Sequence, residues 1–93
     1  MAKKTVTLET KKSAGLILVV RIDGTKLQLD EDGNGECDLT GGVAHVLDFF
    51  VRGQPGGTYK VAITAPSESR LRREAVLDQD QLDIGHAYFF VKA

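Results

Sequence analysis

The chain has 93 residues and a formal net charge of -1 at pH 7, a length that predicts one domain over residues 1–93. A net charge near zero gives no general attraction to nucleic acid or to an anionic membrane, so we expect neither as a partner. The sequence shows neither a long apolar span nor the apolar core of a secretory signal, and it has a single cysteine. These features predict a cytoplasmic protein.

Alternating apolar and polar residues predict strands in the first part of the chain. Lys4–Thr10 has the pattern of an amphipathic edge strand. Leu16–Asp23 is apolar on one face and mixed on the other, and its β-branched residues favour strand over helix. Asp23-Gly24 is a typical tight-turn dipeptide, so this strand and Thr25–Asp30 are predicted to form a hairpin.

The segment Val43–Ala65 predicts a central β-hairpin. Its first arm, up to Val51, carries apolar side chains on both faces, whereas its second arm alternates between an apolar and a polar face. A glycine- and proline-rich stretch, residues 52–57, separates the arms and suits a turn. The first arm is therefore expected to lie inside the fold.

The last third of the chain is less regular. In Ser67–Gln81, a short helix beginning at Ser67 competes with a strand over Arg70–Leu77, and we favour the strand. After a polar loop over Gln79–Gly85, His86–Lys92 predicts a final strand with apolar residues on both faces.

Seven or eight short strands separated by turn residues predict an all-β fold, an antiparallel β-sandwich with an immunoglobulin-like plan. The run from Gly57 to Pro66, G-x-Y-x-V-x-I-x-x-P, resembles one strand and its exit turn in many such domains. The cysteine and tryptophan hallmark of antibody domains is absent, since the chain has one cysteine and no tryptophan. A small Greek-key barrel is the alternative.

One loop carries a motif with metal chemistry. Its oxygen-bearing residues alternate as in the first half of the calcium loop of EF-hand and dockerin-like modules, which it resembles. The candidate calcium ligands are Asp30, Asp32, Asn34, Glu36 and Asp38. Gly41 stands where an EF-hand has its bidentate glutamate, so a full EF-hand is excluded. A weaker calcium or carbohydrate site competes with a solvated turn chosen for backbone geometry.

Adjacent aromatic residues predict an interface, because neighbours on a strand point to opposite faces. One member of each of the pairs Phe49-Phe50 and Phe89-Phe90 is expected outside the core. The candidate interface residues are Val46, Phe50, Tyr88, Phe90, Arg70 and Arg72. The two arginines belong to the densest basic cluster, which either contacts an anionic partner or is neutralised by nearby glutamates.

Other reactive residues give weaker signals. His45 and His86 are predicted to be structural, and the alternative is an acid/base or metal site with Asp48 or Asp83. Acidic neighbours should raise the thiol pKa of Cys37, so it is expected to be inert. The leading hypothesis is a non-enzymatic structural or protein-interaction module that binds a protein partner or a second copy of itself. A ligand-binding module at the Asp30–Asp38 loop is second.

Overall fold

The computed structural model describes residues 3–79 and 81–92. These residues form eight strands and one 3₁₀ turn. The strands are β1 (Lys3–Lys12), β2 (Ile17–Ile22), β3 (Thr25–Lys26), β4 (Asn34–Thr40), β5 (Val43–Arg52), β6 (Thr58–Ala65), β7 (Leu71–Val76) and β8 (Leu82–Val91). The 3₁₀ turn, Ser67–Ser69, follows a cis Ala65-Pro66 peptide bond. No helix among the described residues has the length and apolarity needed to cross a membrane.

The strands form two antiparallel four-stranded sheets, which confirms the predicted all-β sandwich architecture. The first sheet has the order β4-β1-β6-β7 and the second sheet has the order β3-β2-β5-β8. The immunoglobulin-like plan is not confirmed. Here β1 and β2 lie in different sheets, whereas the first two strands of an immunoglobulin domain are neighbours in one sheet.

The predicted hairpin over Val43–Ala65 is wrong, because its two arms belong to different sheets. β5 pairs with β2 and β8, whereas β6 pairs with β1 and β7. The connecting segment crosses between the sheets over the buried side chain of Leu16. A Cβ atom on Gly53 or Gly57 would lie 2.1 Å or 2.7 Å from a methyl carbon of Leu16. The glycines thus allow a close crossing as well as a turn.

Most other local predictions are confirmed with changed boundaries, but the predicted edge strand Lys4–Thr10 is an inner strand, because β1 pairs with both β4 and β6. β2 and β3 form the hairpin expected at Asp23-Gly24, but β3 has only two residues. β7 lies within the segment for which a strand was favoured over a helix. β8 begins at Leu82, four residues before the predicted start at His86. The predicted polar loop over Gln79–Gly85 is therefore wrong from Leu82 onward, because residues 82–85 belong to β8, where Leu82 and Ile84 are exposed.

The core lies between the two sheets and contains the inward side chains of most strands. The apolar residues with no exposed surface are Val6, Leu8, Leu47, Val51, Val61 and Val91. Phe49 of the second sheet packs on Tyr59 of the first, with ring centroids 5.8 Å apart. The hydroxyl of Tyr59 donates a hydrogen bond of 2.8 Å to Asp83. The two sheets are therefore joined by a polar contact as well as by apolar packing.

Candidate functional site: the outer face and free edge of the second sheet

The outer face of the second sheet is unusually apolar. Alternate residues of β8 point outward, and the exposed fractions of Ile84, Tyr88 and Phe90 are 72%, 75% and 47%. The strand register places Phe50 beside Ile84 and Val46 beside Tyr88. The predicted interface residues on β5 and β8 therefore share one surface, and Ile84 joins them.

A row of polar side chains crosses this apolar face. In the strand register, Arg21 on β2 lies opposite Asp48 on β5, and Asp48 lies opposite His86 on β8. We call these three residues the charged row. No ion pair joins Arg21 or Asp48 to any residue that the structure describes. The charged row thus carries an acid and a base that the described part of the chain leaves unpaired.

A shallow hollow lies on one side of the charged row. Its volume is about 420 Å³, and Val19, Phe50 and Ile84 provide its apolar lining beside Arg21 and Asp48. The β2–β5 register places Val19 directly opposite Phe50. The hollow therefore offers apolar contact next to two charges of opposite sign.

The outer face of the first sheet has a different character. Its side chains are mainly polar or charged, and they include Thr5, Thr7, Glu9, Lys11, Glu36, Asp38, Lys60, Thr64, Arg72 and Glu74. The apolar exceptions are Ala62, which is buried, and Val76, which is exposed at the end of β7. A large apolar patch on the surface of a single chain usually marks a site where another molecule binds. The contrast therefore identifies the second sheet as the candidate interface.

The edge of the second sheet at β8 is open along most of its length. The carbonyls of Gln81 and Val91 accept hydrogen bonds from Gly53 and Gly42, which flank β5. Because backbone groups alternate in direction along an antiparallel strand, the even-numbered residues of β8 face away from β5. The carbonyl of Phe90 confirms this alternation, since it accepts a hydrogen bond from the hydroxyl of Ser69. The free edge therefore runs from Leu82 to Tyr88.

The other three sheet edges are less suited to pairing. β3 has two residues, and β4 and β7 have seven and six. β4 carries outward carboxylates, and β7 carries two arginines and a glutamate. Outward charge discourages edge-to-edge association, whereas a long apolar edge promotes it. β8 has ten residues, and its even-numbered positions carry no lysine, arginine, aspartate, glutamate or proline.

The two predicted interface arginines lie elsewhere. Arg72 is on the polar outer face of the first sheet and pairs with Glu74 at 2.9 Å. Arg70 lies between the 3₁₀ turn and β7. The structure therefore does not bring these arginines together with Val46 and Phe50 on one surface, and the neutralised interpretation fits Arg72.

The two histidines lie on opposite faces of the second sheet, so they do not form a shared site. His45 is buried and contacts Asp23 and the Thr40 carbonyl, whereas His86 is exposed in the charged row. Asp48 is His86's strand neighbour, and Asp83 bonds to Tyr59. Alternation along a strand does not relate His45 to Asp23, which lies 22 positions away in a turn.

The candidate calcium residues are spread over a turn and β4. One carboxylate oxygen of Asp30 accepts hydrogen bonds of 2.9 Å from the backbone N–H groups of Asp32 and Asn34. Asp38, farther along β4, accepts a hydrogen bond of 2.7 Å from Thr5. This arrangement shows a turn stabilised by an aspartate side chain, and calcium binding stays a prediction. Glu36 is exposed on the outer face of β4.

Cys37 is half-buried on the inner side of β4. Burial raises its thiol pKa, and the charges of Asp38 and Asp23 raise it further. The expected increase in pKa is therefore confirmed, and it disfavours the reactive thiolate.

No group of three or more histidine, cysteine, aspartate or glutamate side chains in residues 3–79 and 81–92 is arranged to hold a metal ion. Comparisons with known protein families, curated proteins and solved structures give no match. The candidate site thus depends on the chemistry of the second sheet alone. Its members Ile84, Arg21 and Asp48 were not among the predicted interface residues. Alternation along β5 places Asp48 on the same face as Phe50, whereas Arg21 and Ile84 share that face because β2 and β8 pair with β5.

Proposed function

We propose that this protein is a non-enzymatic interaction module that associates with a second copy of itself through the free edge of β8. The observation that supports the proposal is a ten-residue edge strand whose outward backbone groups from Leu82 to Tyr88 pair with no strand in residues 3–79 and 81–92. Ile84 and Tyr88 on this strand are the most exposed large apolar side chains among the described residues. Strand addition would satisfy the backbone groups and cover part of this apolar surface.

The extent of the free edge defines the register of the pair. The hydroxyl of Ser69 already donates a hydrogen bond to the carbonyl of Phe90. A partner strand can therefore pair only with residues 82–88. The middle of this segment is Gly85. An antiparallel pair related by a two-fold axis at Gly85 uses the whole segment in both copies.

This register brings apolar side chains together. It places Leu82 opposite Tyr88 of the second copy, and Ile84 opposite His86 of the second copy, with each pair formed twice. Directly opposed apolar pairs on antiparallel strands contribute about 0.2–1 kcal/mol each relative to alanine pairs. The second sheets of the two copies would then form one continuous eight-stranded sheet, since each contributes four strands.

Sedimentation velocity over a range of protein concentrations tests the proposal. Wild-type protein is expected to change from monomer to dimer as its concentration rises. Tyr88→Lys replaces an apolar contact made twice per dimer, so it should raise the dissociation constant about ten-fold. Val76→Lys is the matched control, because Val76 is 59% exposed on the edge strand β7 of the first sheet. A wild-type protein that stays monomeric, or an equal effect of both lysines, would refute edge pairing.

Amide hydrogen exchange gives a second, residue-specific test. In the monomer, the N–H groups of Ile84 and His86 face the open edge, so they should exchange rapidly. In the dimer they bond to the second copy and should be protected, whereas the amides of Gly85 and Ala87 bond to β5 in both states. Protection of Ile84 and His86 that does not change with concentration would contradict the proposed pairing.

A further inference from the structure

We infer that the outer face of the second sheet is a second self-complementary interface, in which Arg21 of one copy pairs with Asp48 of another. This face is distinct from the free edge of β8 and can associate without edge pairing. The positions and charges of residues on β2 and β5 support this contact.

The strand register makes the face complementary to itself. β2 and β5 are adjacent, with Arg21 opposite Asp48 and Val19 opposite Phe50. A two-fold axis that runs parallel to these strands, midway between them, lays β2 of each copy over β5 of the other. Each Arg21 then lies over an Asp48, and each Val19 over a Phe50. Two sheets packed face to face lie about 10 Å apart, a distance that these side chains bridge from both sides.

The charges of Arg21 and Asp48 indicate which molecule binds this face. Asp48 is half-buried, and neither it nor Arg21 has an ion-pair partner among the described residues. A wholly apolar partner would remove both charges from water without compensation, which is costly. A second copy supplies a guanidinium for each carboxylate, and arginine can bond a carboxylate through two N–H groups. Charge complementarity therefore favours a second copy over an apolar partner.

The area available indicates a weak contact. The two strands that overlap fully, about 4.8 Å apart and roughly 20–33 Å long, present a footprint on the order of 200–300 Å². A standard protein interface buries about 800 Å² on each partner. We therefore expect the face contact to form at high concentration and to add to pairing at the β8 edge. Two different two-fold interfaces on one chain would build assemblies larger than a dimer.

Charge reversal provides the decisive experiment. Arg21→Asp opposes two carboxylates across the axis, and Asp48→Arg opposes two guanidinium groups, so each variant alone should lose the face contact. In an equimolar mixture, the Arg21→Asp chain carries two acids and the Asp48→Arg chain carries two bases. Sedimentation velocity should therefore show a heterodimer at least ten-fold more stable than either homodimer.

Controls separate this inference from edge pairing. Lys11→Asp and Glu36→Arg make the same charge changes on the outer face of the first sheet and should leave association unchanged. In a Tyr88→Lys background the edge contact is weakened, yet mixing the two charge-reversed chains should still form a heterodimer. If the reversals have no effect, or if the mixture does not restore association, the face interface is refuted whatever happens at the edge.

Discussion

The Nδ1 atom of His45 lies 2.5 Å from a carboxylate oxygen of Asp23, inside the second sheet at the β2–β3 turn. The other ring nitrogen lies 2.8 Å from the carbonyl oxygen of Thr40. Both neighbours are acceptors, so a ring that donates from both nitrogens satisfies them, and that ring is the protonated imidazolium. The second oxygen of Asp23 accepts the backbone N–H of Val46 at 3.0 Å.

This geometry changes the pKa values of both side chains. Burial disfavours the imidazolium, but hydrogen bonds to Asp23 and to the Thr40 carbonyl outweigh burial and raise the pKa of His45 above 6.5. Burial likewise disfavours the Asp23 carboxylate, but hydrogen bonds from His45 and from the Val46 N–H outweigh it and lower the pKa of Asp23 below 3.8.

These shifts predict how stability depends on pH. Because the folded state raises the pKa of His45, its contribution is complete below pH 6.5 and is lost as pH rises through the folded-state pKa. The contribution of Asp23 is present above pH 3.8 and is lost as pH falls through its lowered pKa. Urea unfolding should therefore show maximum stability from this pair between about pH 4 and 6.5.

His45→Gln should lose the fall in unfolding free energy that the wild type shows as pH rises above 6.5, because glutamine does not titrate. His86→Gln is the matched control, since His86 is the only other histidine and is exposed. It should keep the fall seen in the wild type. If His86→Gln removes the fall and His45→Gln does not, the assignment to the Asp23–His45 pair is wrong.

Gly85 is required by the aromatic ring that packs against it. A Cβ atom there would lie 2.3 Å from the ring of Phe49, which is its opposite residue on β5. Gly85→Ala should therefore lower the unfolding free energy by about 1–3 kcal/mol, as overpacking does in other cores. In a Phe49→Leu background the same change should cost less, because leucine does not reach as far. An equal cost in both backgrounds would show that Phe49 is not the obstacle.

Tyr59 should ionise at an unusually high pH. Burial raises its pKa to about 12, and the hydrogen bond to Asp83 and the charge of that carboxylate contribute. The folded state favours the neutral phenol, so this stabilisation is lost as pH rises from 10 through about 12. An ultraviolet absorbance titration should show a step near pH 12 that Tyr59→Phe removes. If the step survives in that variant, it belongs to another group.

Asp30→Ala should destabilise the turn before β4. The carboxylate accepts two backbone N–H groups, so its removal should cost about 1 kcal/mol in thermal or urea unfolding. The cost should be the same with and without millimolar calcium. If calcium raises the melting temperature of the wild type and Asp30→Ala abolishes the rise, the loop is a calcium site.

Much of the architecture follows from local pattern. Alternation of apolar and polar residues is set by the period of a strand, so it predicts the strands, the β2–β3 hairpin and the apolar outer positions Val46, Phe50, Tyr88 and Phe90. It does not tell which strand lies beside which. A turn-like sequence between two strands suits a hairpin or a crossing, and residues 53–57 make a crossing because Leu16 packs beneath them.

In the candidate site, too, some features follow from the sequence pattern and others depend on the tertiary structure. The sequence by itself determined that β5 and β8 carry apolar side chains on two faces, because adjacent residues of a strand point in opposite directions. Only the tertiary structure decided that these outer side chains share one face, that Arg21 and Asp48 form a row across it, and that β8 is an edge. The tertiary structure also places Arg72 on the other sheet and brings His45 into contact with Asp23. These relations depend on which strands pair across long distances in the sequence. Local periodicity sets the direction of each side chain along its own strand, but it does not determine the partner strand.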